Sequence, residues 1–95
     1  MKRREELSKW LDIMDKHLPQ KDVFVMMWVE VIKVLRAKIK ADESWSVIEE
    51  YAAKGRKDFA GVQERAGPHA AQCVFKDVSA KVWSINRKYA KSLKQ

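Results

Sequence analysis

The sequence predicts an all-α fold: a small antiparallel bundle of four helices, or five if the third breaks at Gly55, with no sheet. Three observations lead there. Apolar residues recur at steps of three and four along most of the chain, the breaks at "PQKD" and "AGPHAA" are short, and no internal repeat or low-complexity linker separates the runs.

The first segment sets Leu7, Trp10, Leu11, Met14 and Leu18 on one side of a helix. Glu5 with Lys9 and Asp12 with Lys16 have the spacing of i,i+4 pairs on its outer side. Pro19 ends it, and Asp22 is placed to cap the second helix. That second segment, Val23 to Lys40, carries six β-branched residues between Val23 and Val34, which would also suit a strand. Glu30, Lys33, Arg36 and Lys40 recur at helical spacing and decide for a helix, and its nearly all-apolar first half predicts the most buried one.

A third helix begins in "ADESWSVIEE", with Asp42, Ser44 or Ser46 as cap and Ser46–Glu49 spaced as a capping box. Its seam, Trp45, Ile48, Ala52, Gly55, Phe59, Val62 and Ala66, runs through Gly55, so one helix with a break at that glycine as the alternative is expected. Gly67 and Pro68 make a corner. The last helix then runs from about Pro68 to Leu93, with Ala71, Val74, Phe75, Val78, Val82, Ile85, Tyr89 and Leu93 facing the core.

Ninety-five residues make one domain. A chain this short buries only about 60% of its unfolded surface, which suits its use of four tryptophans. Trp10, Trp28 and Trp45 fall on inward stripes and are expected in the core. The chain is small for an enzyme cleft. His17, His69 and Cys73 do not form a metal set, neighbouring acids diverge on a helix, and there is no glycine-rich phosphate loop or nucleophile elbow. A non-enzymatic binding protein without cofactor or metal is therefore expected. The single cysteine, Cys73, fits a buried thiol in a reducing compartment. "VFVMMWVEVIKVL" is interrupted by Glu30 and Lys33, too short an apolar run to span a bilayer, and "MKRREELSKW" has no secretory apolar stretch. No membrane association and a cytoplasmic location are the expectations.

Charge points to a surface. The net charge is +7, and residues 68–95 hold six bases and one acid, or +5 of it. Beyond Asp77 that helix has no acid, while Lys81, Arg87, Lys88, Lys91 and Lys94 accumulate. The helix dipole accounts only for cations in the last turn. Opposite the core face runs a second stripe, His69, Lys76, Ala80, Trp83, Arg87, Ala90 and Lys94. Either Trp83 fills a gap where Ala80 and Ala90 admit a neighbouring helix, or it stands exposed in an aromatic and cationic patch suited to phosphates, bases or a partner protein.

Residues 62–74, "VQERAGPHAAQCV", resemble the helix–glycine–helix corner of repressor-type DNA-binding domains over roughly 20 residues. The resemblance implies apolar and turn roles for Val62, Ala66, Gly67 and Cys73, and a DNA-facing set of His69, Gln72 and Lys76. Gln63 stands where the pattern has a small alanine, Lys76 where it has a buried aliphatic, and Pro68 tightens the turn.

The leading expectation is thus a nucleic-acid-associated protein binding through His69, Gln72, Lys76, Trp83, Arg87, Lys88, Lys91 and Lys94. The alternative is a helical protein-interaction module, whether adaptor, inhibitor or homodimer, using the Trp83, Ala80 and Ala90 stripe, with an acidic protein surface as partner. The chain itself is expected to be a monomer or weak homodimer.

Overall fold

The computed structural model describes residues 2–18 and 23–93. Its elements are α1 (Lys2–Lys16), α2 (Val23–Lys40), α3 (Trp45–Lys54), a 3-10 turn (Gly55–Phe59), α4 (Ala60–Ala66) and α5 (Pro68–Leu93), with no strand among the described residues. The expected turn at 19–22, with its Asp22 cap, lies outside them.

The long C-terminal helix is the axis of the bundle. Its 26 residues, at about 1.5 Å each, extend about 39 Å within a molecule 46 Å long, and α1, α2, α3 and α4 all pack against it. Two hydrogen bonds set the register of α3 on α5. Trp45 Nε1 donates to Asn86 Oδ1 at 2.7 Å, and Ser79 Oγ donates to the Ala52 carbonyl at 2.8 Å. The residue numbers in each pair have the same sum, so the two helices run antiparallel without slippage.

α1 crosses the opposite flank of α5, where Lys88 Nζ meets Glu6 Oε1 at 2.6 Å. It is tied to α2 by Arg36, which lies 2.7 Å from Asp12 and 3.5 Å from Asp15. Asp12 thus reaches across to a neighbouring helix. Between the layers lie Leu7, Leu11, Met27, Val31, Leu35, Ile48, Val74, Val78 and Ile85, each essentially inaccessible. On α5 the expected core face is buried from Ala71 to Ile85, joined by Ala70, with Tyr89 half-buried. The Leu93 side chain lies outside the described set.

Several expectations are corrected. Trp28 and Trp45 are buried, but Trp10 is only half-buried, set edge-on to Trp28 at 5.9 Å on the rim between α1 and α5. α2 is not buried all round. Met26 and Val29 are exposed, because the facing helix α4 is only seven residues long and covers little of them. Cys73 is half-buried, with its sulfur 3.7 Å from His69 Nε2.

The segment between α2 and α3 also differs. Asp42 belongs to the end of α2, at φ 58, where its N–H reaches the Ile39 carbonyl and the Glu43 N–H reaches that of Lys38. This is the six-to-one and five-to-two closure that usually employs glycine; aspartate is among the few other residues that enter this region. Arg4 holds the Asp42 carboxylate. Ser44 caps α3 in extended conformation without a side-chain bond to the helix, its hydroxyl meeting that of Ser46 at 3.0 Å. The capping box expected of Ser46 and Glu49 does not form, since Ser44 is the cap and Ser46 lies within the first turn, and Glu49 Oε2 accepts from Asn86.

The third helix breaks at Gly55. Tyr51, absent from the expected seam, is buried and meets Phe59 and Phe75 edge-on at 5.9 and 5.7 Å. A Cβ at Gly55 would lie 2.5 Å from the Tyr51 ring and 3.2 Å from that of Phe75. The backbone there tightens to a 3-10 turn so that Phe59 can close the cluster, and α4 sets off anew. It ends at Gly67, whose φ of 88 excludes other residues without strain.

One ring yields two opposite predictions. Gly55→Ala forces a methyl group into the Tyr51 ring and should cost about 1–3 kcal/mol. The buried Tyr51 hydroxyl has no hydrogen-bond partner among the described residues, and burial, reinforced by the charges of Asp58 and Glu30, pushes its ionisation far above the usual phenol range. Tyr51→Phe removes that orphan hydroxyl and should raise stability by about 1–3 kcal/mol in urea melts.

Candidate functional site

Successive residues of α5 turn by about 100°, and its neighbours divide its circumference into three. Val74, Val78, Val82 and Ile85 face the core. Asp77, Ala80, Lys81 and Ser84 face the α1 flank beside Trp10 and Met14. Ser79, Trp83, Asn86 and Ala90 turn toward α3, where they line an open groove of ≈ 580 Å³ with Glu49, Glu50, Ala52 and Ala53.

The groove is built from the bottom. Val82 and Ala52 form its floor, and small side chains at Ala53 and Ala90 keep it open. Asn86 latches its walls together, because its Oδ1 accepts from the Trp45 indole while its Nδ2 donates to Glu49 Oε2 at 3.0 Å. The reverse amide orientation would set oxygen against carboxylate and NH₂ against indole N–H, so only one orientation satisfies both partners. A buried indole needs an acceptor, and Asn86 supplies it.

Trp83 stands on the rim, 65% exposed. The Arg87 guanidinium lies 5.7 Å from its ring centre, a contact worth about 0.5–1 kcal/mol at an exposed site, and holds the ring as a raised apolar plate. The walls differ in charge. α3 presents the exposed carboxylates Glu49 and Glu50, and α5 presents Arg87.

The residues nominated from sequence do not converge. His69, Gln72 and Lys76 are exposed on the outer ridge of α5, but at about 1.5 Å per residue they lie roughly 10–21 Å along the helix from Trp83. Arg87 joins Trp83. Lys88 turns to the α1 flank and binds Glu6. The Lys91 side chain and Lys94 lie outside the described residues. Ala80 and Ala90 part company, one beside α1 and one beside α3. The corner compared with repressor-type domains forms at Gly67, yet no residue of α4 is buried, and Val62, Ala66 and Cys73 are half-buried.

Sequence reasoning missed Asn86, Glu49, Glu50 and Ala53. For Asn86 a signal existed, an amide one turn from Val82 and Ala90 that a buried tryptophan would need. For the others there was none. Among the described residues no three His, Cys, Asp or Glu side chains cluster as metal ligands, and no helix is long and apolar enough to cross a membrane. Comparison of the chain with protein-family models, characterised proteins and solved structures finds no match.

Burial separates two of the tryptophans in their expected cost. Trp45→Ala should lose about 3–5 kcal/mol, whereas Trp83→Ala, at an exposed site, should change stability by no more than about 1 kcal/mol; thermal melts of the two variants distinguish them. A second prediction concerns the α1 flank. The Lys88 hydrogen bond holds the Glu6 carboxyl below its usual 4.5 despite partial burial, with Lys88 and Lys81 charge adding, and Glu6 in turn raises Lys88 above 10.5. The carboxylate's contribution is complete above 4.5 and is lost as pH falls through its lowered folded value, while that of Lys88 is complete below 10.5 and is lost as pH rises through its raised one. Lys88→Met should therefore flatten the stability profile, read by urea melts across pH, on the acid side of pH 4.5.

Proposed function

We propose that this chain is a non-enzymatic protein-interaction module, docking an amphipathic helical segment of a protein partner in the α3–α5 groove beneath Trp83. The observation that carries the reading is the exposed Trp83 plate beside an apolar groove whose two walls carry opposite charge. Exposed tryptophan supported by arginine is the composition of interface hot spots. An occupying helix would set its apolar stripe over Ala52, Ala53, Val82 and Ala90, lysines toward Glu49 and Glu50, and a carboxylate toward Arg87. A cytoplasmic setting, with Cys73 as a thiol, belongs to the same reading.

The nucleic-acid expectation draws less support. Phosphates approaching Trp83 would meet Glu49 and Glu50, and Lys88 is engaged by Glu6 on another face. Among the nominated cations of the described residues, Arg87 alone lies at the plate.

A labelled helical peptide of about 18 residues, apolar at i, i+3, i+4 and i+7 with lysines on one flank and glutamates on the other, serves as the probe. Fluorescence anisotropy should show saturable binding that weakens at least about 10-fold in Trp83→Ala and in Ala53→Arg, which fills the groove. A labelled DNA duplex of about 20 base pairs is the contrasting ligand. Should the duplex bind with a steep salt dependence and an affinity that Trp83→Ala lowers, while the peptide does not bind, the nucleic-acid reading replaces this one.

A further inference from the structure

We infer that His69 and Cys73 form a two-ligand site for a thiophilic divalent cation such as Zn²⁺, at the N-terminal end of α5 and away from the groove.

Side chains four residues apart on a helix lie on one face, one turn from each other, and this is the spacing by which paired ligands on a single helix grip zinc. Here the pair already converges. Cys73 Sγ stands 3.7 Å from His69 Nε2. A tetrahedral zinc, about 2.3 Å from sulfur and about 2.0–2.1 Å from nitrogen, separates those two donors by about 3.6 Å. An ion can therefore bind both with small rotations of the two side chains.

The scaffold is firm where the ligands stand. Ala70, Ala71, Val74 and Phe75, which flank them in sequence, are buried and fix this stretch of α5 to the rest of the fold. His69 is exposed and Cys73 half-buried, so an ion from solvent reaches both.

Chemistry selects the ion. One thiolate and one imidazole suit zinc and its neighbours in the first transition row, whereas magnesium and calcium take oxygen ligands. On binding, the Cys73 thiol gives its proton to solvent and the imidazole keeps its single proton on Nδ1, so that Nε2 and the thiolate sulfur each supply a lone pair. Asp77, the next acid along α5, turns to the α1 flank and adds no third ligand, which leaves the remaining positions to water. Two protein ligands instead of four make the ion exchangeable, with a Kd on the order of 1–100 μM.

Cobalt(II) is the probe, because thiolate ligation gives it a near-ultraviolet charge-transfer band. Titrated into the folded, reduced chain, it should raise that band saturably at one equivalent, and Zn²⁺ but not Mg²⁺ should displace it. Cys73→Ser should abolish the band. His69→Ala should weaken cobalt binding at least about 10-fold, and His69→Cys should restore it with two thiolates. The double variant His69→Ala, Gln72→His keeps both ligand types but points them about 100° apart around the helix, and it should not recover the affinity. The substituted positions are exposed or half-buried, and circular dichroism checks that each variant is folded. No band at about 1 mM cobalt, a band that survives Cys73→Ser, an affinity unchanged in His69→Ala, full affinity in the Gln72→His arrangement, or displacement by Mg²⁺ as readily as by Zn²⁺ each overturns the inference.

Discussion

The structure depends on one constraint: a single helix must serve as wall for everything else. α5 contacts all four other helices, and only its buried stripe is committed to the shared core. The α1 flank is held by an ion pair, Lys88 with Glu6, and the α3 flank by neutral and charge-assisted hydrogen bonds through Asn86 and Ser79. These are different kinds of fastening. A surface ion pair adds little net energy, whereas the Trp45–Asn86 bond satisfies an indole that is almost wholly buried, and leaving such a group unpaired would cost about 1–3 kcal/mol. The α3 side is therefore the one that must keep its register.

That register would not exist if the third helix ran on to Ala66. The ring cluster of Tyr51, Phe59 and Phe75 is satisfied only if the chain tightens after Lys54. Gly55 admits the Tyr51 ring where any side chain would collide. As a result α3 stops after ten residues, alongside the middle of α5, where Ser79 and Asn86 bind it, and α4 packs on α5 as a separate helix. The groove with Trp83 is the portion of the α3–α5 seam where small residues line the surface instead of filling it.

The cationic helix is likewise not one electrostatic object. Lys81 and Lys88 are oriented toward α1, where they hold Glu6 ionised, and Arg87 is oriented toward Trp83. The acids that temper the groove belong to α3, nearly 40 residues away in sequence. Net charge along the chain therefore exaggerates the charge of any one face.

Periodicity by itself determined the helical class, the extents of α2 and α5, the burial of Trp28 and Trp45 and the position of Trp83 off the core face, because a helix's faces follow from its own 3.6-residue repeat; it left open whether a neighbouring helix covers Trp83, and it carried the first helix to Leu18, past its end at Lys16. The same local rule located the corner at Gly67 and flagged Gly55. It did not decide whether the chain breaks at Gly55, because the Tyr51 ring and Phe75 come from different helices. It placed Trp10 in the core, where packing leaves it at a rim, and offered Asp42, Ser44 and Ser46 alike as the cap of α3, where Ser44 takes that position and the Asp42 backbone closes α2. Above all it read Lys88, Arg87 and Trp83 as one patch. Which flank of α5 each residue joins depends on where α1 and α3 lie around it, and that is set by contacts between residues far apart in sequence, Glu6 with Lys88 and Trp45 with Asn86, which no pattern along a single helix contains.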